Sequence, residues 1–159
     1  MKPLTACLFA LVLFGGALSQ TAEETMEPMK IKRLTPVLFV EKIEPCLDFW
    51  VTRLGFQKTV EVPEGDALGF VALERDGVEV MLQSYASAEK YSPAVAAAAH
   101  NSRTFLFVEV SDLDDIRRRL EGTPVTLPLR TTFYGATEIG YREPGGHSVT
   151  FAQFAPAHD

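Results

Sequence analysis

Cysteine is nearly absent. The chain has only Cys7 and Cys46. Cys7 lies in an N-terminal apolar run expected to be removed, so one thiol remains and no internal disulfide is possible, even in an oxidising compartment. Basic residues are also scarce, with 15 Lys and Arg against 21 Asp and Glu and a formal charge of −6. Nucleic acid and anionic membranes require concentrated cations, so neither is an expected partner. The one basic cluster, Arg117-Arg118-Arg119, follows Asp112, Asp114 and Asp115 and reads as the solvated, dipole-complementing end of a short helix. Histidine occurs at His100, His147 and His158, none with a second His, Cys or Asp at ligand spacing. Each is expected at the surface and not on a metal. Gly-x-Ser-x-Gly is missing and Cys46 has no nearby His in sequence, which leaves no nucleophile; Cys46 reads as structural or merely exposed.

No apolar run reaches the ~18–20 residues that a membrane span needs. The longest, Leu4 to Leu18, follows Lys2 and ends in Ala17-Leu18-Ser19, the order of a cleavable secretory signal peptide over residues 1–19. The expected destination is therefore the periplasm or the medium, with no membrane attachment after cleavage. Residues 20–32 are polar and aperiodic and read as a flexible lead-in. With 159 residues in all and 47% hydrophobic content, the remainder suits one domain over residues 33–155.

That domain reads as a duplication. Leu34–Glu41 has the composition of a buried strand. Pro45 then opens a helix carrying Leu47, Trp50, Val51 and Leu54 at helical spacing, which Gly55 stops. Three β-like runs follow, Gln57–Val62, Leu68–Glu74 and Val78–Ser84, with turn signals at Glu64-Gly65-Asp66 and Asp76-Gly77. The order then recurs: strand Thr104–Val110; a helix capped by Ser111, striped by Leu113, Ile116 and Leu120 and ended by Gly122; then runs Val125–Leu127, Thr137–Arg142 and Ser148–Phe154. Strand end, helix stop and hairpin turn all repeat at an offset of roughly 70 residues, which chance would not align. The modules are 33–84 and 103–155, and the alanine-rich connector 85–102 reads as a short helix or loose link.

Val40-Glu-Lys-Ile-Glu-Pro-Cys-Leu-Asp-Phe49-Trp50 with Leu54-Gly55-Phe56 resembles the opening of the vicinal oxygen chelate superfamily of glyoxalases, extradiol dioxygenases and bleomycin-resistance proteins. Phe107–Asp115, Thr131–Gly135 and Arg142–Ala152 are most similar to its bleomycin-resistance-like branch. The resemblance implies an α+β fold of tandem βαβββ modules forming a half-open mixed sheet or barrel around a concave cavity. It also implies a homodimer in which modules from two chains complete each cavity. In metal-dependent members it implies four His, Glu or Gln ligands on the first and last strands of each module, holding an ion that binds two adjacent substrate oxygens.

Carried over, those four positions are Thr35, Met81, Phe105 and Thr150. Shifts of two residues, which keep the face, give Val37, Glu79 or Gln83, Phe107, and Ser148 or Ala152. Neither set supplies the three or more protein ligands usual for a catalytic transition-metal site, so no metal, cofactor or catalytic residue is expected. Strand alternation instead gathers Thr35, Val37, Phe39, Met81 and Gln83 from the first module with Phe105, Phe107 and Thr150 from the second. Arg130 and Tyr134, in the segment Arg130-Thr-Thr-Phe-Tyr-Gly135, complete the candidate ligand-binding set. Two alternatives stay open: the phenylalanines line a site or fill a core, and the segment lids the cavity or makes a bend. The leading expectation is non-catalytic binding of a small hydrophobic, aromatic or amphipathic molecule. Its competitors are a metal-dependent lyase or dioxygenase with a displaced site at Glu41, Gln83 and Glu109, and a structural dimer of the cell envelope.

Overall fold

The structure, a computed structural model, describes residues 29–100 and 102–155. The expected signal peptide, the lead-in up to residue 28 and His158 lie outside the described residues. The architecture belongs to the unit that starts at Arg33.

Module one runs β1 (Val37–Val40), α1 (Glu44–Leu47), β2 (Gln57–Glu64), β3 (Ala67–Arg75) and β4 (Val78–Ser84). Helices α2 (Tyr85–Tyr91) and α3 (Pro93–His100) form the connector. Module two runs β5 (Phe105–Glu109), α4 (Leu113–Arg119), β6 (Val125–Thr131), β7 (Ala136–Arg142) and β8 (Ser148–Phe154). The two sheets have equivalent orders, β1-β4-β3-β2 and β5-β8-β7-β6, each with one parallel pair beside an antiparallel meander. This is the α+β fold of two βαβββ modules, and neither sheet closes into a barrel. No helix among the described residues is long and apolar enough to cross a membrane.

Alternation decides what each sheet face meets. Leu38 and Val40 on β1, Val80 and Leu82 on β4, and Val149 and Phe151 on β8 point into one continuous core with Phe49, Trp50, Leu54, Leu113 and Leu120. The opposite faces stay open. Asp76 and Gly77 both have positive φ, 52° and 80°, which gives the β3–β4 hairpin the primed turn whose twist matches its strands.

Four local readings are corrected. The helix after β1 continues past Leu47 as a π-helical segment over Asp48–Arg53, where the Leu54 N–H donates to the Phe49 carbonyl five residues back at 3.1 Å. The wider turn places Phe49 and Trp50 together in the core and brings Arg53 Nε to Asp48 Oδ2 at 2.8 Å. The cap of α4 is Asp112 and not Ser111: Asp112 Oδ1 accepts the Asp115 N–H at 2.8 Å. Asp112→Ala is therefore expected to cost about 1 kcal/mol, and Ser111→Ala almost nothing; equal effects in urea unfolding would refute the assignment. Strand β6 runs on to Thr131, so Arg130 stands on a strand and only Thr132–Gly135 link β6 to β7. Finally, His147 is buried. Its Nδ1 accepts the Thr104 N–H at 3.1 Å and its Nε2 faces the Phe39 carbonyl at 2.9 Å, so the ring ties the start of module two to β1.

Candidate functional site

The two open sheet faces carry the predicted residues. On the first, β1 and β4 pair Val37 with Met81 and Phe39 with Gln83, and Phe70 and Ala72 of β3 extend both rows. On the second, β5 and β8 pair Phe107 with Thr150, and Gly140 of β7 continues that row. Phe105 is 80% exposed and Phe107 54% exposed. Neither fills a core in this chain. A β5 face with two solvent-facing phenyl rings stabilises the monomer little and presents aromatic surface outward.

Thr35, just before β1, donates its hydroxyl to Glu79 Oε1 at 2.9 Å, and Arg33 Nη1 meets Glu79 Oε2 at 2.8 Å. These bonds hold the Glu79 carboxyl below its ordinary range, the Thr35 hydroxyl contributing most. Val37 and Phe39 also line a groove of about 480 Å³ against Ala94, Val95 and Ala98 of α3, with His147 at its side.

Arg130 and Tyr134 meet at a carboxylate that sequence reasoning passed over. Glu138 of β7 faces the open side yet is only 2% exposed. Arg130 covers it, placing Nε at 2.7 Å and Nη2 at 2.6 Å from Oε1, and Tyr134 donates its hydroxyl to Oε2 at 2.7 Å. The Thr132–Gly135 link thus folds back over the far end of the face, where the Tyr134 ring lies 6.2 Å from that of Phe154. Thr132 Oγ1 fixes the bend by accepting from the Ala136 N–H at 3.0 Å and donating to the Ala136 carbonyl at 3.0 Å. A glutamate in an alternating strand ordinarily reads as solvent-facing; only Arg130 eight positions earlier signalled a partner.

Electrostatically the cluster is fixed and not poised for proton transfer. The Tyr134 hydroxyl and then Arg130 pull the Glu138 carboxyl below its ordinary 4.5, while the same carboxylate pushes the Tyr134 phenol up. Near neutrality Glu138 is an anion and Tyr134 a donor. A carboxyl with a depressed folded value contributes stability that is present above 4.5 and lost as pH falls through the folded value. Glu138→Gln is accordingly expected to flatten the acid limb of the stability profile relative to the natural protein; parallel urea midpoints from pH 6 downward in both proteins would contradict the pairing.

The donor set does not fit the metal that the resemblance implies. Phe105 offers no donor, Met81 only a thioether and Thr35 a hydroxyl already engaged with Glu79. Among the described residues no three His, Cys, Asp or Glu side chains come together to hold an ion. Cys46 is buried, and burial pushes its thiol far above the ordinary range, which makes it inert as a nucleophile.

Comparison with known proteins places this geometry. The family model described as Glyoxalase/Bleomycin resistance protein/Dioxygenase superfamily matches residues 30–151. Among curated proteins no match was found. Among solved structures, a glyoxalase/bleomycin resistance protein/dioxygenase from Nocardioides is 21% identical, covering 84% of this chain and 91% of its own, with a TM-score of 0.62. Lactoylglutathione lyase from Agrobacterium tumefaciens is 14% identical over 78% of this chain and 95% of its own, TM-score 0.63. The bleomycin-binding protein of Streptomyces verticillus, solved with copper(II)-bleomycin, is 22% identical over 78% and 97%, TM-score 0.53. At these identities the likeness is one of fold.

Proposed function

The chain belongs to the glyoxalase/bleomycin resistance/dioxygenase superfamily, and from that footing we propose that it is an exported, non-catalytic binder of an aromatic or amphipathic small molecule, acting without a metal. The observation that carries this reading is the exposure of Phe105 and Phe107 on the open face of β5, across from Thr150. Aromatic side chains give large contact area at low entropic cost, and flanking groups such as Gln83 and Thr150 would orient a ligand. The ordered charges around Glu138 and Glu79 support binding over acid–base chemistry, since each carboxylate is already neutralised by an arginine.

Within this reading the working unit is a homodimer. A single chain leaves both sheet faces open, and a second copy set against them would enclose a ligand between modules. Export rests on the order of charge, apolar run and small residues over 1–19.

The test is native mass spectrometry of the protein purified without chelator, followed by denaturing spectra of the same sample. An organic adduct that is released on unfolding, with no stoichiometric metal, is the expected result. A transition metal bound one to one would overturn the reading and favour the lyase or dioxygenase alternative.

A further inference from the structure

Resting on the binding function proposed above, we infer that Arg130 receives an anionic group of the ligand, so that the preferred ligand is an aromatic body with a carboxylate or sulfonate at one end. Arg130 spends Nε and Nη2 on a single oxygen, Glu138 Oε1. The guanidinium edge formed by Nη1 and the second Nη2 proton remains, on a side chain that is 57% exposed. A planar fork of two parallel N–H donors matches a carboxylate or sulfonate, and its orientation is fixed in advance because Glu138 holds the other edge.

Position supports the same assignment. Arg130 pairs with Glu138, Glu138 with Ala152 and Ala152 with Glu109, so the guanidinium stands at the β6 end of a row running across the whole open face of module two. The neighbouring row ends on Phe107, passing Thr150 and the bare backbone of Gly140. Any side chain at Gly140 would meet Leu127 Cβ at 2.8 Å and Thr150 Oγ1 at 3.2 Å, so the floor of that row is closely filled and uncharged. The carboxylates of this face, Glu138 and Glu109, stand in the Arg130 row, and Arg130 is the cation among them. Three strand spacings separate β6 from β5, on the order of 14 Å, a span suited to a two- or three-ring molecule. The Tyr134 ring, half exposed beside the guanidinium, gives such a molecule a flat surface at its charged end. The chain's net charge of −6 disfavours anions at long range, which makes a local, pre-aimed arginine the feature that selects them.

Two fluorescent probes that differ by one group test this: 8-anilinonaphthalene-1-sulfonate, and N-phenyl-1-naphthylamine, which lacks the sulfonate. The natural protein is expected to bind the sulfonate roughly ten- to hundredfold more tightly, and added salt should weaken only that probe. Arg130→Met should erase the preference, bringing the ratio of the two affinities to about one, and Arg130→Lys, which keeps the charge but not the fork, should retain part of it. Equal affinities in the natural protein, or a preference untouched in both variants, would overturn the anion assignment and leave the binding function standing. If neither probe binds, the aromatic site itself falls, and the assignment with it.

Discussion

Replacing Phe105 and Phe107 together by alanine is expected to weaken binding of N-phenyl-1-naphthylamine by a hundredfold or more while lowering stability by only about 1 kcal/mol. Truncating a ring that anchors a ligand commonly costs about 2 kcal/mol or more. A ring that is 80% exposed, like that of Phe105, has little buried area to lose, and Phe107 at 54% has only a fraction of its contacts in the fold. Leu38→Ala supplies the opposite control: Leu38 is fully buried in the shared core and its truncation should cost about 2–5 kcal/mol with no direct effect on the probe. Sedimentation of the same variants separates the envelope-scaffold alternative. If the double variant dissociates a dimer that binds no probe in its natural form, the phenylalanines serve assembly; if it loses stability as Leu38→Ala does and keeps its probe, they are core residues and the proposed site is wrong.

How far the fold is legible in the sequence depends on the range of the signal. Turn chemistry at Asp76-Gly77 and the alternation of Val78–Ser84 and Ser148–Phe154 place β4 and β8 at their observed limits, because hairpin and strand patterns are local. Strand β6 reads short because Pro128 has no N–H to donate. At the edge of the sheet that loss is tolerated, and the pairing is irregular between Leu127 and Arg130 and then resumes. The π-helical segment is invisible for a different reason: Leu47, Trp50, Val51 and Leu54 recur at three- and four-residue intervals as in an ordinary helix, and a one-residue shift of hydrogen-bond partner over a single turn leaves no mark in that pattern. The open faces follow from strand alternation. What escapes is tertiary. His147 sits beside a Gly-Gly turn that reads as surface, and only the docking of that turn on β1 buries it; Glu138 reads as solvent-facing until Arg130 and Tyr134 close over it.

The docking of that turn leads to the second large effect: Gly145→Ala is expected to destabilise the fold by about 3 kcal/mol, a cost typical of overpacking in a close-packed interior. A methyl group at Gly145 would stand 2.3 Å from Val40 Cγ1 and 2.7 Å from Glu143 Oε1, at a point where the tip of the β7–β8 hairpin presses on the end of β1. Neither neighbour yields easily. Val40 is fully buried, and Glu143 spends its two oxygens on the Gly145 and His147 N–H groups at 2.9 and 3.0 Å. Pushing the hairpin away would also lengthen the bond between His147 and the Phe39 carbonyl, leaving buried polar groups of both modules without partners. The closer of the two clashes comes from one atom, Val40 Cγ1, so a second change should relieve that part of the strain. Val40→Ala removes Cγ1 and leaves the nearest Val40 contact of the new methyl at Cβ, 3.2 Å away. In urea unfolding, Val40→Ala combined with Gly145→Ala should therefore lose at least about 1 kcal/mol less than the two single losses added together. Strict additivity would mean that the hairpin tip does not rest on β1, and that the two modules are held in register by the remainder of the shared core alone.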